Sequence, residues 1–348
     1  MHNQDLGQVL TSADFIHENS QHVFIPSSGI ESAAKVVFEN MKTREYSTKT
    51  WKMHPLNPKV ANESAINWIF LVDLLNFSFW SERDPDDKSV PNPARYAVEY
   101  QGVKYTGYWA LCACINRACQ EGYPILKPQW WAKDASDDVL LHVFRSDTEE
   151  QMPMVKERIR VMREDGGALL KYYDGTFINC IKEANGSAMK LLQIITRHFK
   201  SFNDEHTFHL RKVQIFKRAQ ILIADIWACF DGQGLGYFED IDQITMFADY
   251  RVPQALYHLG CLEYSKDLIQ KLRDHQNFPS GCSEEVEIRG NSIWAVELLR
   301  QRIQHMIDEQ NSDMKVNAIL LDFYIWDYAK EIQGTVDIPT HRTRSVYY

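Results

Sequence analysis

The chain has few of the features that mark membrane proteins or disulfide-rich secreted proteins. It contains no run of about 18 or more apolar residues, so no transmembrane helix is expected. Its seven cysteines are an odd number and show no zinc-binding spacing, which predicts buried free thiols and no metal site. Residues 1–5 lack the basic start and apolar run of a signal peptide. A cytoplasmic location is therefore predicted.

Basic charge is also scarce. The 348 residues include 38 Lys and Arg against 47 Asp and Glu, which gives a net charge of −9. Proteins that hold long DNA or RNA bind its phosphates mainly through lysine and arginine on a basic face. The acidic balance disfavours a polynucleotide substrate, whereas a mononucleotide needs only a few cations. A small-molecule ligand is predicted, and the oligomeric state is left open.

The familiar catalytic signatures are missing as well. The sequence has no GxSxG elbow, no P-loop, no HExxH and no GxGxxG after a strand. The glycine-rich segment 231–236 (DGQGLG) looks superficially like a phosphate loop, but it lacks the downstream Lys-Ser/Thr and a preceding strand. Common nucleotide-triphosphate and hydrolase classes are thereby disfavoured.

Helical periodicity is what the chain does contain. Apolar residues recur three and four positions apart over most of its length. Helices are predicted over residues 12–20, 30–41, 64–75, 107–119, 157–172, 186–198, 213–230, 253–259, 265–275, 283–305 and 313–331. Residues 96–106 alternate around Gly102 and predict a small β-hairpin, and residues 83–93 and 276–283 predict loops.

The predicted fold class is therefore all-α, mostly helical with a possible small β-hairpin. Apolar periodicity resumes at once on both sides of each predicted loop, so neither loop resembles an interdomain linker. We expect one globular domain over residues 1–348, with a division near residue 200, into 1–200 and 201–348, as the alternative.

The segment FADYRVPQ carries the strongest chemical signal. Asp249 stands between the aromatic residues Phe247 and Tyr250, with Arg251 next to them. Pro253 is suited to the first turn of a helix. An acid held against aromatic surface beside a cation suits a pocket that grips a flat base and stabilises developing positive charge.

The glycine-rich segment 231–236 precedes this acid, so the order is helix, hairpin, short helix, acid. That order resembles the helix-hairpin-helix DNA glycosylases, in which the catalytic aspartate follows the hairpin at the mouth of the next helix. The resemblance implies a catalytic role for Asp249.

Two further clusters are candidates for ligand contacts. Asn76, Phe77 and Trp80 end an apolar helix, and they form either one wall of a base-binding slot or part of the core. Lys217 and Arg218 diverge by about 100° on a helix, so at most one points into a site. The choice is between a phosphate-binding lysine and a solvated surface pair.

Three other polar features are ambiguous. Asp322 lies in a strongly apolar helix, where an acid is either paired or functional. Asp327 lies about 140° further around that helix, so at most one of the two acids is expected to enter a pocket. The polar run 285–292 either orients ligand hydroxyls or complements a helix dipole. The basic, aromatic tail 341–348 either docks over a cleft or frays.

Seven motifs stand in order between residues 67 and 348: NFSFWS, YTGYWAL, FKRAQILIAD, FADYRVPQALYHLG, EVEIRGNSIWAVELL, LLDFYIWDY and HRTRSVYY. Together they resemble the queuosine salvage proteins, the queuosine 5'-phosphate N-glycosylases. The resemblance implies hydrolysis of the bond between queuine and ribose 5-phosphate, which releases queuine for reinsertion into tRNA. It also implies an all-helical fold related to DNA glycosylases, and no metal or organic cofactor.

Carried over motif by motif, the resemblance places the family's acid at Asp249, its lysine at Lys217 and its later acid at Asp322, with Asp327 as the alternative. Pocket roles for Phe77, Trp80, Phe247 and Tyr250 are hypotheses from local chemistry. Arg251 is expected to help Lys217 with the phosphate. Two other functions remain open: a nucleic-acid base glycosylase, and a non-catalytic helical module that binds a modified base or nucleotide.

Overall fold

The protein is described by a computed structural model that covers residues 7–44, 46–82 and 94–348. The loop predicted at 83–93 and the N-terminal residues 1–5 lie outside the described residues. The described residues are mostly helical, which confirms the predicted fold class. None of the helices in these ranges is long and apolar enough to cross a membrane.

The α-helices follow the apolar periodicity closely, and several predicted bounds are met within one or two residues. In chain order they are α1 (Gln8–Glu18), α2 (Ser27–Arg44), α3 (Thr48–Met53), α4 (Glu63–Leu74), α5 (Tyr108–Gln120), α6 (Asp137–Val143), α7 (Val155–Tyr172), α8 (Phe177–Ala184), α9 (Ala188–His198), α10 (Lys217–Cys229), α11 (Val252–His258), α12 (Lys266–Arg273), α13 (Ser283–Glu309) and α14 (Ala318–Glu331).

Short antiparallel strand pairs accompany the helices. The predicted hairpin is confirmed, because β2 (Ala97–Tyr100) pairs with β3 (Val103–Thr106) around Gly102. Two further pairs were not predicted. They are β1 (Val23–Phe24) with β6 (Glu263–Tyr264), and β4 (Glu205–Phe208) with β5 (Arg211–Gln214).

The helix predicted over 213–230 is wrong at its start. Residues up to Gln214 belong to β5, and α10 begins only at Lys217. The turn between β4 and β5 holds His209 and Leu210, both at positive φ (45° and 63°), as a tight two-residue hairpin turn requires. Val213 and Phe216 are three positions apart, so their apolar side chains also fit a helical pattern.

The described residues group into two compact units. Unit 1 comprises residues up to 47, 204–220 and 242–344, and unit 2 comprises residues 48–203, 221–241 and 345–348. One unit boundary, at 203/204, lies close to the division that the sequence analysis kept as its alternative. The single-domain assignment stays a prediction.

In unit 1 the long helix α13 is central. It packs against α1, α2, α11 and α14. Gly290 allows the approach of α1, because a Cβ at this position would lie 2.6 Å from Cδ1 of Ile16. In unit 2, α4 packs against α5 and α8, and α5 packs against β2. The second unit is rich in stacked aromatic side chains, among them Phe70, which packs on Phe177 at 4.7 Å between ring centroids.

The C-terminal tail is not frayed, so that expectation is wrong. His341, Thr343 and Tyr348 are buried. In unit 1, the carbonyl oxygen of Arg342 accepts a hydrogen bond from the main chain of Phe278 at 2.8 Å. The tail is held by main-chain hydrogen bonds that the local sequence does not reveal.

Candidate active site

Asp249 lies in an extended segment just before α11, within unit 1. Its Oδ1 accepts hydrogen bonds from the main-chain N–H groups of Arg251 (2.7 Å) and Val252 (2.8 Å), the first donors of that helix. A helix start leaves such donors without partners, and an acid placed there also complements the helix dipole. Within the described residues Oδ2 of Asp249 makes no hydrogen bond, and the side chain is half-buried. One carboxylate oxygen is therefore anchored and the other is available.

Asp322, on α14, is the second acid of this site. Its side chain is buried (5% exposed), and Oδ1 accepts a hydrogen bond from the main-chain N–H of Phe247 at 2.9 Å. Since residue 247 precedes Asp249 by two positions, this bond ties α14 to the segment that carries the first acid. We call residues 247–251 the acidic segment.

The two acids differ in their electrostatic environment. Burial raises the pKa of Asp249, while the charge of Lys217 and the two amide hydrogen bonds oppose that rise. The pKa of Asp322 is raised well above its ordinary value, first by burial and then by the charge of Asp249, against the single amide of Phe247 and the charge of Lys217. A pair of acids whose surroundings separate their pKa values is suited to hold one ionised and one protonated carboxyl group.

Lys217 is the first residue of α10 and is buried, as is its neighbour Arg218 (5% and 1% exposed). The alternative of a solvated surface pair is therefore wrong. The structure places the lysine near both acids, since its charge acts on the pKa of each.

The other predicted residues of the acidic segment are placed as follows. The ring of Phe247 is buried and lies 6.4 Å from the ring of Phe323. The guanidinium of Arg251 lies 5.8 Å from the ring centroid of Tyr250. Tyr250 also lines a small pocket with Gln254 and other residues of unit 1.

Asp327 does not join Asp322. It is half-buried on α14, and its Oδ2 accepts a hydrogen bond from the hydroxyl of Tyr46 at 2.9 Å. Burial raises its pKa. The partners of the two acids are different, as their helical spacing predicts, and the assignment of Asp327 to the ligand stays a prediction.

Asn76, Phe77 and Trp80 lie in unit 2, in the non-helical stretch after α4. We call residues 76–80 the aromatic segment. All three side chains are buried, and Nδ2 of Asn76 donates to Oδ1 of Asp73 at 3.3 Å. The guanidinium of Arg158 stacks 4.2 Å from the ring centroid of Phe77. Their predicted base-binding role stays a prediction.

Two residues that hold the acidic segment were missed. Arg289, on α13, donates from Nε to the carbonyl oxygen of Ala248 at 3.0 Å, and its Nη2 pairs with Oδ2 of Asp204 at 2.6 Å. Arg289 belongs to the polar run 285–292, for which only ligand contacts and dipole effects were expected. The local sequence gives no signal for the contact, because Asp204 lies 85 positions away from Arg289.

The described part of the chain contains no group of three His, Cys, Asp or Glu side chains placed to hold a metal ion. The groups that do converge in unit 1 are two carboxyls and one lysine. Such a set supports acid–base or electrostatic chemistry carried out by side chains.

These features describe a mostly helical protein in which a half-buried acid, a buried acid and a buried lysine interact. Comparison with known sequences gives the family. A family model described as queuosine salvage protein matches residues 56–348. The chain belongs to the queuosine salvage protein family, which confirms the resemblance carried by the seven motifs.

Similar proteins match nearly the whole chain. A queuosine 5'-phosphate N-glycosylase/hydrolase of Mus musculus is 44% identical over 340 residues, which cover 97% of each chain. The protein of that name from Schizosaccharomyces pombe is 42% identical over 355 residues, covering 99% of this chain and 100% of its own. A relative of the same name from Sphaerobacter thermophilus is 36% identical over 343 residues, covering 98% of this chain and 97% of its own.

Proposed function

We propose that this protein hydrolyses the N-glycosidic bond of queuosine 5'-phosphate and releases queuine for salvage into tRNA, with Asp249 as the catalytic carboxylate. The observation that supports the catalytic assignment is the hydrogen bonding of the two carboxylate oxygens of Asp249. One of its oxygens is fixed by two main-chain amides, and the other makes no hydrogen bond among the described residues. The family membership supports the choice of substrate.

Cleavage of an N-glycosidic bond passes through an oxocarbenium-like sugar, so positive charge develops at the anomeric carbon. A fixed carboxylate beside that carbon stabilises the transition state more than the ground state. The charge of Lys217 favours the ionised form of Asp249, which this role requires. We assign the same carboxylate to orient or deprotonate the attacking water.

The leaving base needs help of a different kind. Queuine is a 7-deazapurine and lacks the ring nitrogen that a DNA glycosylase can protonate in a purine. Because the surroundings of Asp322 favour its protonated form, we assign it to donate a hydrogen bond to an acceptor of the departing base. Asp249 and Asp322 then act as a charged and a neutral partner.

Lys217, aided by Arg251, is assigned to the 5'-phosphate. Binding energy from a phosphate far from the reacting bond helps to position the sugar at the catalytic acid. The position of Lys217 near both carboxyls also supports a second role, which is to keep Asp249 ionised. Comparing nucleotide with nucleoside substrates separates these roles.

In unit 1, Phe247, Tyr250 and Asp327 are assigned to recognition of the base. For Asn76, Phe77 and Trp80 of unit 2, base binding stays a hypothesis from the sequence. Aromatic rings can stack on a heterocycle, and amide or carboxyl groups can read its polar edge.

Three further parts complete the proposal. The net charge of −9 supports a small-molecule substrate without a polynucleotide partner. We place the reaction in the cytoplasm.

We also propose that α10, the turn after it and Asp249 correspond to the hairpin and catalytic aspartate of the helix-hairpin-helix glycosylases, because Asp249 lies just before α11. An experimental structure with bound substrate, compared with those enzymes, tests this correspondence.

The function is tested by incubating the protein with queuosine 5'-phosphate and following free queuine by chromatography. We expect queuine in amounts that exceed the enzyme and increase with time. Binding without any release would indicate a non-catalytic module. Release of a base from DNA or RNA, but not from the mononucleotide, would indicate a nucleic-acid glycosylase.

A further inference from the structure

A buried charged pair lies within unit 1 outside the residues assigned to the reaction. Asp204 is 1% exposed and Arg289 is 0% exposed. Their contact is bidentate, with 3.0 Å from Nη1 to Oδ1 and 2.6 Å from Nη2 to Oδ2. Glu285 also accepts from Nη1 of Arg289 at 3.3 Å, and His206 lies 3.1 Å from Oδ1 of Asp204. We call Asp204 and Arg289 the Asp204–Arg289 pair.

The pair remains charged in spite of its burial. Burial alone would raise the pKa of Asp204, but the charge of Arg289 and the hydrogen bonds from His206 and Arg289 hold that pKa below its ordinary value. Buried ion pairs often stabilise a fold no better than apolar residues of similar size. A fully buried pair with this many partners therefore calls for a role beyond stability.

Arg289 connects the pair to the main chain next to Asp249. Its Nε donates to the carbonyl oxygen of Ala248 at 3.0 Å, so it holds the peptide group that joins residues 248 and 249. On the other side of Asp249, the carboxylate itself is held by the amides of Arg251 and Val252. The main chain before Asp249 is thus fixed by α13, and its side chain is fixed by α11.

Asp204 connects the pair to the main chain of Lys217. Its Oδ2 accepts from the main-chain N–H of Lys217 at 3.2 Å, and its carbonyl oxygen accepts from Ile215 at 3.0 Å. Phe216, directly before Lys217, has a φ of 52°, which is rare for an aromatic residue. Asp204 therefore holds the main chain on both sides of a strained residue at the start of α10.

We infer that the Asp204–Arg289 pair is a positioning device that sets the Asp249 carboxylate and the start of the Lys217 helix relative to each other. The inference rests on the proposed function, since it gives the pair a task only if Asp249 is catalytic. Neither residue of the pair needs to touch the substrate. Their effect passes through the Ala248 carbonyl and the Lys217 amide.

The test uses Asp204→Asn, which keeps the shape of the side chain and removes its charge. A matched control is Glu287→Gln on α13. Glu287 is also fully buried, and its Oε2 accepts three main-chain amides, those of Gln21, His22 and Val23 at 3.0, 2.6 and 3.1 Å. The control thus removes an equally buried carboxylate from the same unit, away from the acidic segment.

We expect Asp204→Asn to lower kcat at least about 10-fold on queuosine 5'-phosphate, and Glu287→Gln to keep kcat within about 2-fold at a similar loss of melting temperature. In an Asp249→Asn background, adding Asp204→Asn should change kcat by no more than about 2-fold, because a residue that acts through Asp249 loses its effect once that carboxylate is gone. Losses that multiply in the double variant, or an unchanged kcat in Asp204→Asn, would overturn the inference.

Arg289→Lys provides a second reading if Asp204→Asn does not fold. Lysine keeps the positive charge beside Asp204 but cannot make the same forked contact with Asp204 and Ala248. We expect it to show the same non-additivity with Asp249→Asn, and multiplying losses would again overturn the inference. Full activity of Asp249→Asn by itself would instead remove the catalytic assignment, so the two failures are distinguishable.

Discussion

The acidic segment and the aromatic segment are built alike and differ in what they present. Each is a non-helical stretch beside a helix end, and each has a main-chain carbonyl held by a buried arginine. Arg289 holds Ala248. Arg158 holds the carbonyls of Leu75 and Phe77, on either side of Asn76. In both segments, the arginine guanidinium donates hydrogen bonds to main-chain carbonyls that lie outside regular secondary structure.

Their side chains serve different ends. The acidic segment carries Asp249, with one available oxygen, beside the protonation-prone Asp322. The aromatic segment carries rings and an amide, and its arginine also stacks on Phe77 and lies 4.9 Å from the ring centroid of Phe79. The comparison shows that the two units use similar main-chain supports for segments of different side-chain chemistry. The roles proposed for the two segments can be tested by mutation.

The largest effect is expected for Asp249→Asn, which should lower kcat at least about 100-fold. The amide can still accept the hydrogen bonds of Arg251 and Val252, so the fold should be kept, but no negative charge faces the sugar. The rate of queuine release and the melting temperature are the measurements.

Asp240→Asn is the matched control for that variant. Asp240 also accepts two main-chain amides at a helix start, those of Ala188 (2.5 Å) and Met189 (3.2 Å), the first two residues of α9. We expect it to alter stability and leave kcat within about 2-fold. A near-normal kcat in Asp249→Asn would remove that residue from the mechanism and with it the contrast between the segments.

Lys217→Ala should come next. If Lys217 holds the phosphate, kcat/KM for queuosine 5'-phosphate should fall at least about 10-fold more than kcat/KM for queuosine, because one charge-assisted contact is lost only with the nucleotide. Both substrates are assayed with the same enzyme preparation. Equal losses on the two would assign the lysine to Asp249 and Asp322 instead of the phosphate.

Asn76→Ala should affect binding rather than chemistry. We expect KM to rise about 3- to 10-fold with kcat within about 3-fold, since a lost hydrogen bond to the base weakens the ground state and transition state alike. Asn179→Ala is the control within unit 2, where Nδ2 of Asn179 donates to the carbonyl of Tyr173 at 3.0 Å. A fall in kcat with unchanged KM would place the aromatic segment in the chemistry and reverse the comparison.

The smallest effect concerns the pH dependence of stability. The folded-state pKa of Asp322 is raised above its ordinary value of 3.8, so the folded state binds this proton more tightly than the unfolded state. The contribution of Asp322 to the free energy of unfolding is fully present at low pH and is lost as pH rises through the raised pKa. At pH values above the raised pKa, Asp322→Asn should remove that loss of stability and raise the melting temperature by about 2 °C or more. The difference from the unmodified protein should become smaller toward low pH.

Thermal unfolding of both proteins over a pH series checks this, with Asp327→Asn as the control on the same helix. Asp327 is only half-buried and is held by Tyr46, so its substitution should give a smaller gain. A melting-temperature difference that grows toward low pH would contradict the raised pKa of Asp322.

Local patterns anticipated much of the fold, and the reason is visible in particular elements. The helix predicted at 64–75 is observed as Glu63–Leu74, and the hairpin around Gly102 forms as expected. In both cases the apolar period and the turn residues are contiguous in the chain. The strand Arg211–Gln214 was missed because its short apolar spacing fits a helix equally well, and only its partner β4 decides the matter.

Residue order was enough to indicate the family, to predict most of the helices and to single out Asp249, because those signals lie within a few neighbouring positions. The helices α3, α6 and α8 were not predicted. Tertiary structure decided which groups surround that acid. Asp204 and Arg289 are 85 positions apart, and Phe247 and Asp322 are 75 positions apart. Periodicity reports which faces are buried, but it carries no information about the distant partner that each buried charge meets. That partner determines the charge state and orientation of the acids in the candidate site.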